Sequence, residues 1–206
     1  MLIEHDGKRP RISRSAYVAS TATICGDVSI GENTCVLFGA IISAEGGPVE
    51  IGASCIVMEN AVLRGTRRHH LKIGDHVLIG PRASLSGCTV EENVFLATGA
   101  TVFNGAWIGA RAEVRVNGVV HLKTKLPPDS TVPIGWIAVG EPARILPPGA
   151  HEEIWAIQKP LNFPKTVFGL ERPAEGETIM PELTSRYAAF LSSHAADRII
   201  GGGENK

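Results

Sequence analysis

The stretch Arg64-Gly65-Thr66-Arg67-Arg68-His69-His70 brings three guanidinium groups and two imidazoles together, the most polar and cationic run in the first two thirds of the chain. Arginine is a permanent cation whose planar fork of donors matches a carboxylate or phosphate. Arg64, Arg67 and Arg68 therefore suit capture of a small anionic ligand. An imidazole can take a proton near neutral pH, which makes His69 and His70 the candidate catalytic residues. On an extended segment two adjacent side chains point apart, so these two do not converge on one ion, and His76 and His121 lack ligand spacing as well. The cysteines Cys25, Cys35, Cys55 and Cys88 stand singly, with no C-x-x-C pair. They read as reduced thiols used as small, semi-apolar residues. A cytoplasmic location is the resulting expectation, with no metal and no resident cofactor.

The cationic run must be held by something rigid, and a six-residue period supplies it. Counting by sixes gives Val18, Ile24, Ile30, Val36 and Ile42, then Ile51, Val57 and Leu63, then Ile73, Ile79 and Leu85. After a slip of one residue the count continues through Val90, Leu96, Val102, Ile108, Val114 and Val120, with Leu126 and Val132 in the same phase. Two residues before these aliphatics stand mostly small ones, among them Ala22, Ala40, Ala61, Ala83, Ala100 and Ala112. Just after them glycine recurs, at Gly31, Gly52, Gly74, Gly80 and Gly109, where a tight corner with positive φ is expected. A helix would repeat near 3.6 residues and a half-buried strand near 2. Six fits the side of a triangular coil, whose core is buried only by stacking. The fold expected is all-β, a parallel β-helix of six or seven coils over residues 1–145. Insertions at 43–50 and 64–72 leave the prism, and excursions from a rigid scaffold commonly carry function.

Residues 146–206 break the period and form a C-terminal α-helical extension. A short helix is expected from His151 to Gln158, then a Pro- and Gly-rich loop, then a helix with Pro181 at its first position. Leu183, Tyr187, Phe190, Leu191 and His194 share one face of that second helix. It is expected to pack along the prism or across its last coil, covering an open β edge, and the tail 201–206 is expected to be mobile.

Composition excludes some classes. The formal net charge of −1 leaves no basic footprint for nucleic acid. No apolar run approaches the roughly 20 residues of a membrane span, and the first residues lack the regions of a signal peptide.

Residues 12–145 resemble the γ-class carbonic anhydrases, hexapeptide-repeat proteins with a left-handed β-helix. The likeness rests on Thr21-Ala22-Thr23-Ile24-Cys25-Gly26-Asp27-Val28-Ser29-Ile30-Gly31, Ile73-Gly74-Asp75-His76-Val77-Leu78-Ile79-Gly80, Ala83-Ser84-Leu85-Ser86-Gly87-Cys88-Thr89-Val90 and Gly140-Glu141-Pro142-Ala143-Arg144. The resemblance implies a homotrimer with a metal held by three histidines at the subunit boundary. Here those positions fall on Arg64, Pro81 and Ser86, none of which replaces an imidazole. The family's Arg-Gly-Asp stretch reads Ser43-Ala44-Glu45, and its Gln-Asp pair reads Met58-Glu59. Three functions follow as alternatives: a boundary pocket repurposed for binding or assembly, with Arg64 free for an anion or paired with Glu45 or Glu59; a CoA-thioester acyltransferase using His69 or His70, since the repeat is shared with such enzymes; or a structural subunit of a larger complex.

Overall fold

The computed structural model describes residues 1–201, and the chain winds as a parallel β-solenoid of triangular coils. Its first side stacks Leu2–Glu4, Thr23–Cys25, Ile41–Ser43, Val62–Arg64, Ser84–Ser86, Thr101–Val102, Val119–Val120 and Ile137–Val139. The second side runs from Arg11–Ile12 to Lys125–Leu126, and the third from Tyr17–Val18 to Thr131–Val132, with seven strands each. Seven full coils and one side of an eighth result.

The register shows why a period of six produces this shape. Ile24 pairs with Ile42, Ile42 with Leu63, Leu63 with Leu85, Leu85 with Val102 and Val102 with Val120. Each contributes the same inward atom group to an axial ladder, and all are at most 1% exposed. Burying an aliphatic of this size contributes roughly 1.5–3 kcal/mol relative to leaving it in water. No single coil can exclude water from these side chains, so the stack is the folding unit. Val18, in the first coil, is the exception and is only partly buried. The small companions fill the corners: Ala22, Ala40, Ala61, Ala83, Ala100 and Ala112 are all fully buried.

The corner glycines serve a different purpose from the one expected. Positive φ falls two residues later, on Asn33, Ser54, His76, Arg82 and Arg111. Gly31, Gly52, Gly74, Gly80 and Gly109 are needed because neighbouring coils approach too closely for a side chain. A Cβ on Gly31 would lie 2.6 Å from the Gly52 carbonyl carbon, and one on Gly80 would lie 2.6 Å from that of Ala97.

Strands, rather than a helix, cap both edges of the first side. Arg144–Leu146 pairs antiparallel with Ile137–Val139 at one end, and Arg198–Gly201 pairs antiparallel with Leu2–Glu4 at the other. Between them the extension travels back down the prism. Helix α1 (His151–Gln158) buries Ile154 near the last coil. A turn at Pro164–Phe168 follows, then helix α2 (Met180–Leu191), in which Pro181 is the second residue and not the first. None of the side chains of α2 is fully buried. The expected mobile tail lies outside the described residues apart from Gly201, which closes the capping strand. No helix among the described residues is long and apolar enough to cross a membrane.

Candidate functional site

Both excursions leave the same corner, between the first and second sides, in successive coils. They stack on each other because their glycines allow it: a Cβ on Gly47 would lie 2.6 Å from the Thr66 carbonyl oxygen. The second excursion is a closed turn. Thr66 N–H donates to the His69 carbonyl at 2.9 Å, His69 N–H donates to the Thr66 carbonyl at 3.2 Å, and the Thr66 hydroxyl receives the Asn104 side-chain amide at 3.2 Å. This turn sends the two histidines in opposite directions along the prism axis. His69 packs against Gly105 of a later coil and His70 against Gly47 of an earlier one.

Two hollows flank the excursion. The first, about 480 Å³, lies between the prism corner and the extension. Glu45, Arg64, Arg67 and Ser86 supply its polar floor, while Phe103, Phe163, Phe168, Leu183, Tyr187 and Phe190 supply apolar walls. Arg64 ends its strand next to Leu63; Leu63 points inward, so alternation turns Arg64 outward. Its registered neighbours are Ser43 and Ser86 on the adjacent coils. The Phe103 and Phe163 rings meet edge-on at 6.1 Å, joining prism to extension. The second hollow, about 630 Å³ and open, is bordered by Arg68, His69, His70, Lys72, Trp107 and Lys125. Pro81 and Glu59 line neither hollow. They stand at the corner between the third and first sides, where the Pro81 carbonyl accepts from Gly99 N–H and the Glu59 carbonyl from Arg82 N–H. The structure thus joins Arg64 with Ser86, and leaves Pro81 at the far end of the same prism side.

The electrostatics are uneven. Arg64 Nε lies 3.5 Å from Glu45 Oε1, an ion-pair contact without hydrogen-bond geometry. That Nε is buried without a hydrogen-bond partner, although the side chain as a whole is 44% exposed. Of the two carboxylates considered for Arg64, Glu45 is the one in contact. Glu45 is itself held by His194, whose Nε2 lies 2.8 Å from Glu45 Oε2. His194 Nδ1 lies 2.7 Å from Asp197 Oδ2, and Asp197 Oδ1 lies 2.6 Å from His5 Nδ1. Hydrogen bonds to Asp197 and Glu45 raise the His194 pKa above its ordinary value, against some loss from burial. Burial pushes the Asp197 carboxyl up, but the bonds to His194 and His5 outweigh it and hold the pKa below the usual range. Burial, with help from Asp197 and Glu45, pushes the Cys25 thiol up to about 11. On the other side of the excursion, burial first and then Lys123 and Arg68 lower the His69 pKa, so its ring is neutral at pH 7 and able to accept a proton.

Sequence reasoning missed His5 and Asp197 entirely and read His194 as part of an apolar stripe. Nothing in their spacing signals a cluster, because the two histidines stand 189 positions apart in the chain and the returning extension brings them together. The aromatic walls at Phe163 and Phe168 were missed for the same reason.

Short parallel strands wound in sixes around an aliphatic core, with polar groups gathered on two excursions at one corner, define a hexapeptide-repeat β-helix protein. No protein-family model matches the chain. It is 31% identical over 153 residues to γ carbonic anhydrase 1 of Arabidopsis thaliana, a match covering 71% of this chain and 54% of that protein. It is 32% identical over 148 residues to a protein of Methanocaldococcus jannaschii described as a probable carbonic anhydrase, covering 72% of this chain and 89% of that one. Among solved structures, a Bacillus cereus protein provisionally described as an acetyltransferase superposes with a TM-score of 0.62 at 26% identity, covering 76% of this chain and 90% of the other. The chain belongs to the γ-carbonic-anhydrase-like family of hexapeptide-repeat proteins. It spans about half the length of the two Arabidopsis relatives matched first.

Proposed function

We propose that this chain is a homotrimeric member of the family whose former metal pocket now binds a small anion with an apolar body. The observation that carries this reading is Arg64: a guanidinium with one buried nitrogen lacking a hydrogen-bond acceptor, set in a hollow with aromatic walls. A buried cationic donor without an acceptor is costly, and a carboxylate or phosphate supplies what it lacks. Arg67 adds positive potential. Glu45 is already engaged by His194 and competes weakly. A three-histidine zinc site needs three neutral donors and an open position for water. The residues at those positions here are a permanent cation, a hydroxyl and a proline without any donor, so the donor set does not fit that ion and no step is routed through it.

A ladder of outward side chains supports a trimer. Tyr17, Cys35, Ile56, Leu78 and Phe95 stand in register on the third side, and Tyr17, Ile56 and Phe95 are each about 40% exposed. Contiguous apolar surface of this kind marks an interaction face. Pro81 and Glu59 stand beside that side. We further read 1–145 as the prism domain and 146–206 as an extension that walls the pocket, leaving room for assembly into a larger complex.

The test is a thermal-shift and calorimetric screen of short alkyl and aryl carboxylates and phosphates. A hit should lose at least about tenfold in affinity in Arg64→Ala, equivalent to about 1.4 kcal/mol. No stabilisation by any of them ends the binding reading. Light scattering should give three copies per particle, and Phe95→Lys should reduce it to one.

A second reading has its own support. The open hollow carries Arg68, Lys72 and Lys125 for phosphates, Trp107 for a ring to stack on, and a neutral His69 as base. This arrangement suits transfer from a CoA thioester. Thiol release from acetyl-CoA, abolished in His69→Ala, would establish it, whereas absence of CoA binding would remove it.

A further inference from the structure

At the far end of the molecule from α1, four side chains of metal-binding type meet. His5 comes from the turn after the first strand, Cys25 ends the strand of the next coil, and His194 and Asp197 sit just before the strand that caps the edge. One donor atom from each lies within 4.8 Å of the donor atoms of the other three. The separations already given are 2.6 and 2.7 Å from the Asp197 oxygens to the two Nδ1 atoms, with 4.0 Å from Asp197 Oδ2 to Cys25 Sγ. A tetrahedron with bonds of about 2.0–2.3 Å places its donors roughly 3.3–3.8 Å apart, so an ion would replace the two Asp–His hydrogen bonds and spread those donors by roughly 1 Å. His5 and Cys25 are at most 5% exposed, so these two donors are shielded from water, while Asp197 and His194 stand at the rim.

The surroundings are arranged as a metal site requires. Both histidines present Nδ1 to the cluster, and each turns Nε2 to a carboxylate: His194 to Glu45 at 2.8 Å and His5 to Asp6 at 3.6 Å. The Glu45 contact fixes the orientation of the His194 ring and makes its coordinating nitrogen more basic, while the Asp6 contact is longer than a hydrogen bond. Asp197, Glu45 and Asp6 also make the neighbourhood anionic, which offsets a divalent cation. Two imidazoles, a thiol and one carboxylate form a mixed N, S and O set that suits zinc better than magnesium or calcium.

We propose that His5, Cys25, His194 and Asp197 bind one zinc-type divalent ion, which fastens the returning extension to the first coil. All four positions are taken by protein, so the site is structural. None of its four ligands lines the anion pocket, and the two sites meet only through Glu45, which touches both His194 and Arg64.

The experiment titrates the metal-stripped full-length protein with Zn²⁺ and with Co²⁺. One equivalent per chain is expected, with a higher melting temperature and, for Co²⁺, a thiolate-to-cobalt charge-transfer band. Cys25→Ser should remove that band. His194→Ala and Asp197→Ala should each weaken binding at least about tenfold, and Glu45→Gln by about tenfold or more through the outer contact. His194 is a third exposed, so its variant tests the site even if the buried cysteine does not tolerate change. No saturable uptake, or uptake unaffected by both Cys25→Ser and His194→Ala, overturns the proposal.

Discussion

The prism and the extension are stabilised in opposite ways. Ile24, Ile42, Leu63, Ile79, Leu85, Leu96 and Ile108 of the prism are wholly removed from water, whereas among the described residues after 146 only Ile154 and Leu170 are buried apolar side chains. The extension instead adheres through strand caps at its two ends, edge-on aromatic contacts at Phe163, and polar contacts such as Arg68 Nη1 donating to the Lys165 carbonyl at 3.3 Å. Arg198 and Arg9 share the Glu4 carboxylate beside the last strand. A rigid stack thus carries a lightly bound strap, and the candidate sites lie along the seam, where a ligand or ion can change how firmly the strap is held.

The largest effects should separate the two regions. Leu85→Ala opens a void between coils that cannot collapse, at a cost of about 2–5 kcal/mol, read as a lower urea midpoint. Leu183→Ala on α2 should cost about 1 kcal/mol or less, since its surroundings are already half open. That variant should nonetheless weaken carboxylate binding in the first hollow. Equal destabilisation by the two substitutions would mean that the extension folds as part of the prism, and would remove the comparison.

The next effect concerns backbone approach. Gly31→Ala must push a Cβ into the Gly52 backbone at 2.6 Å, and separating two coils costs about 1–3 kcal/mol. Gly169→Ala in the extension meets only Arg68 Nη2 at 3.7 Å, so its cost is the left-handed φ of +74°, about 1 kcal/mol. Melting temperatures of the two variants at one pH decide the order.

These differences explain what could be read from the sequence. Every inward position from Ile24 to Val120 repeats one geometric problem, so a simple count finds it. The helix His151–Gln158 was legible from its apolar positions for the same local reason. The purpose of Gly31 or Gly80 was not, because close approach depends on the coil above and not on the residue's own turn. Arg64 with Ser86 came from the family resemblance, and the strand register, which pairs Leu63 with Leu85, accounts for it. Phe163 over Phe103, or His194 over His5, depended on the path of a segment without any period, and no spacing rule reports such a path.

The smallest effect lies on the seam itself. His121, in the prism, packs against Phe103 with ring centroids 5.3 Å apart and the planes tilted by 38°, and the same Phe103 ring meets Phe163 of the extension. Its Nδ1 is buried without a hydrogen-bond partner, and burial lowers its pKa below the ordinary 6.5. No charged group contributes to that shift. The folded pKa lies below the unfolded one, so the unfolded chain binds the proton more readily across that interval. The contribution of the neutral ring to stability is therefore complete above pH 6.5 and is lost as the pH falls through the depressed folded value. His121→Phe keeps the aromatic contact and removes the titration. The stability difference between wild type and this variant should be constant above pH 6.5, and below it should move in favour of the variant. A difference flat down to pH 5 would show that protonation of His121 is accommodated without disturbing Phe103, and that the seam is not weakened by acid at this point.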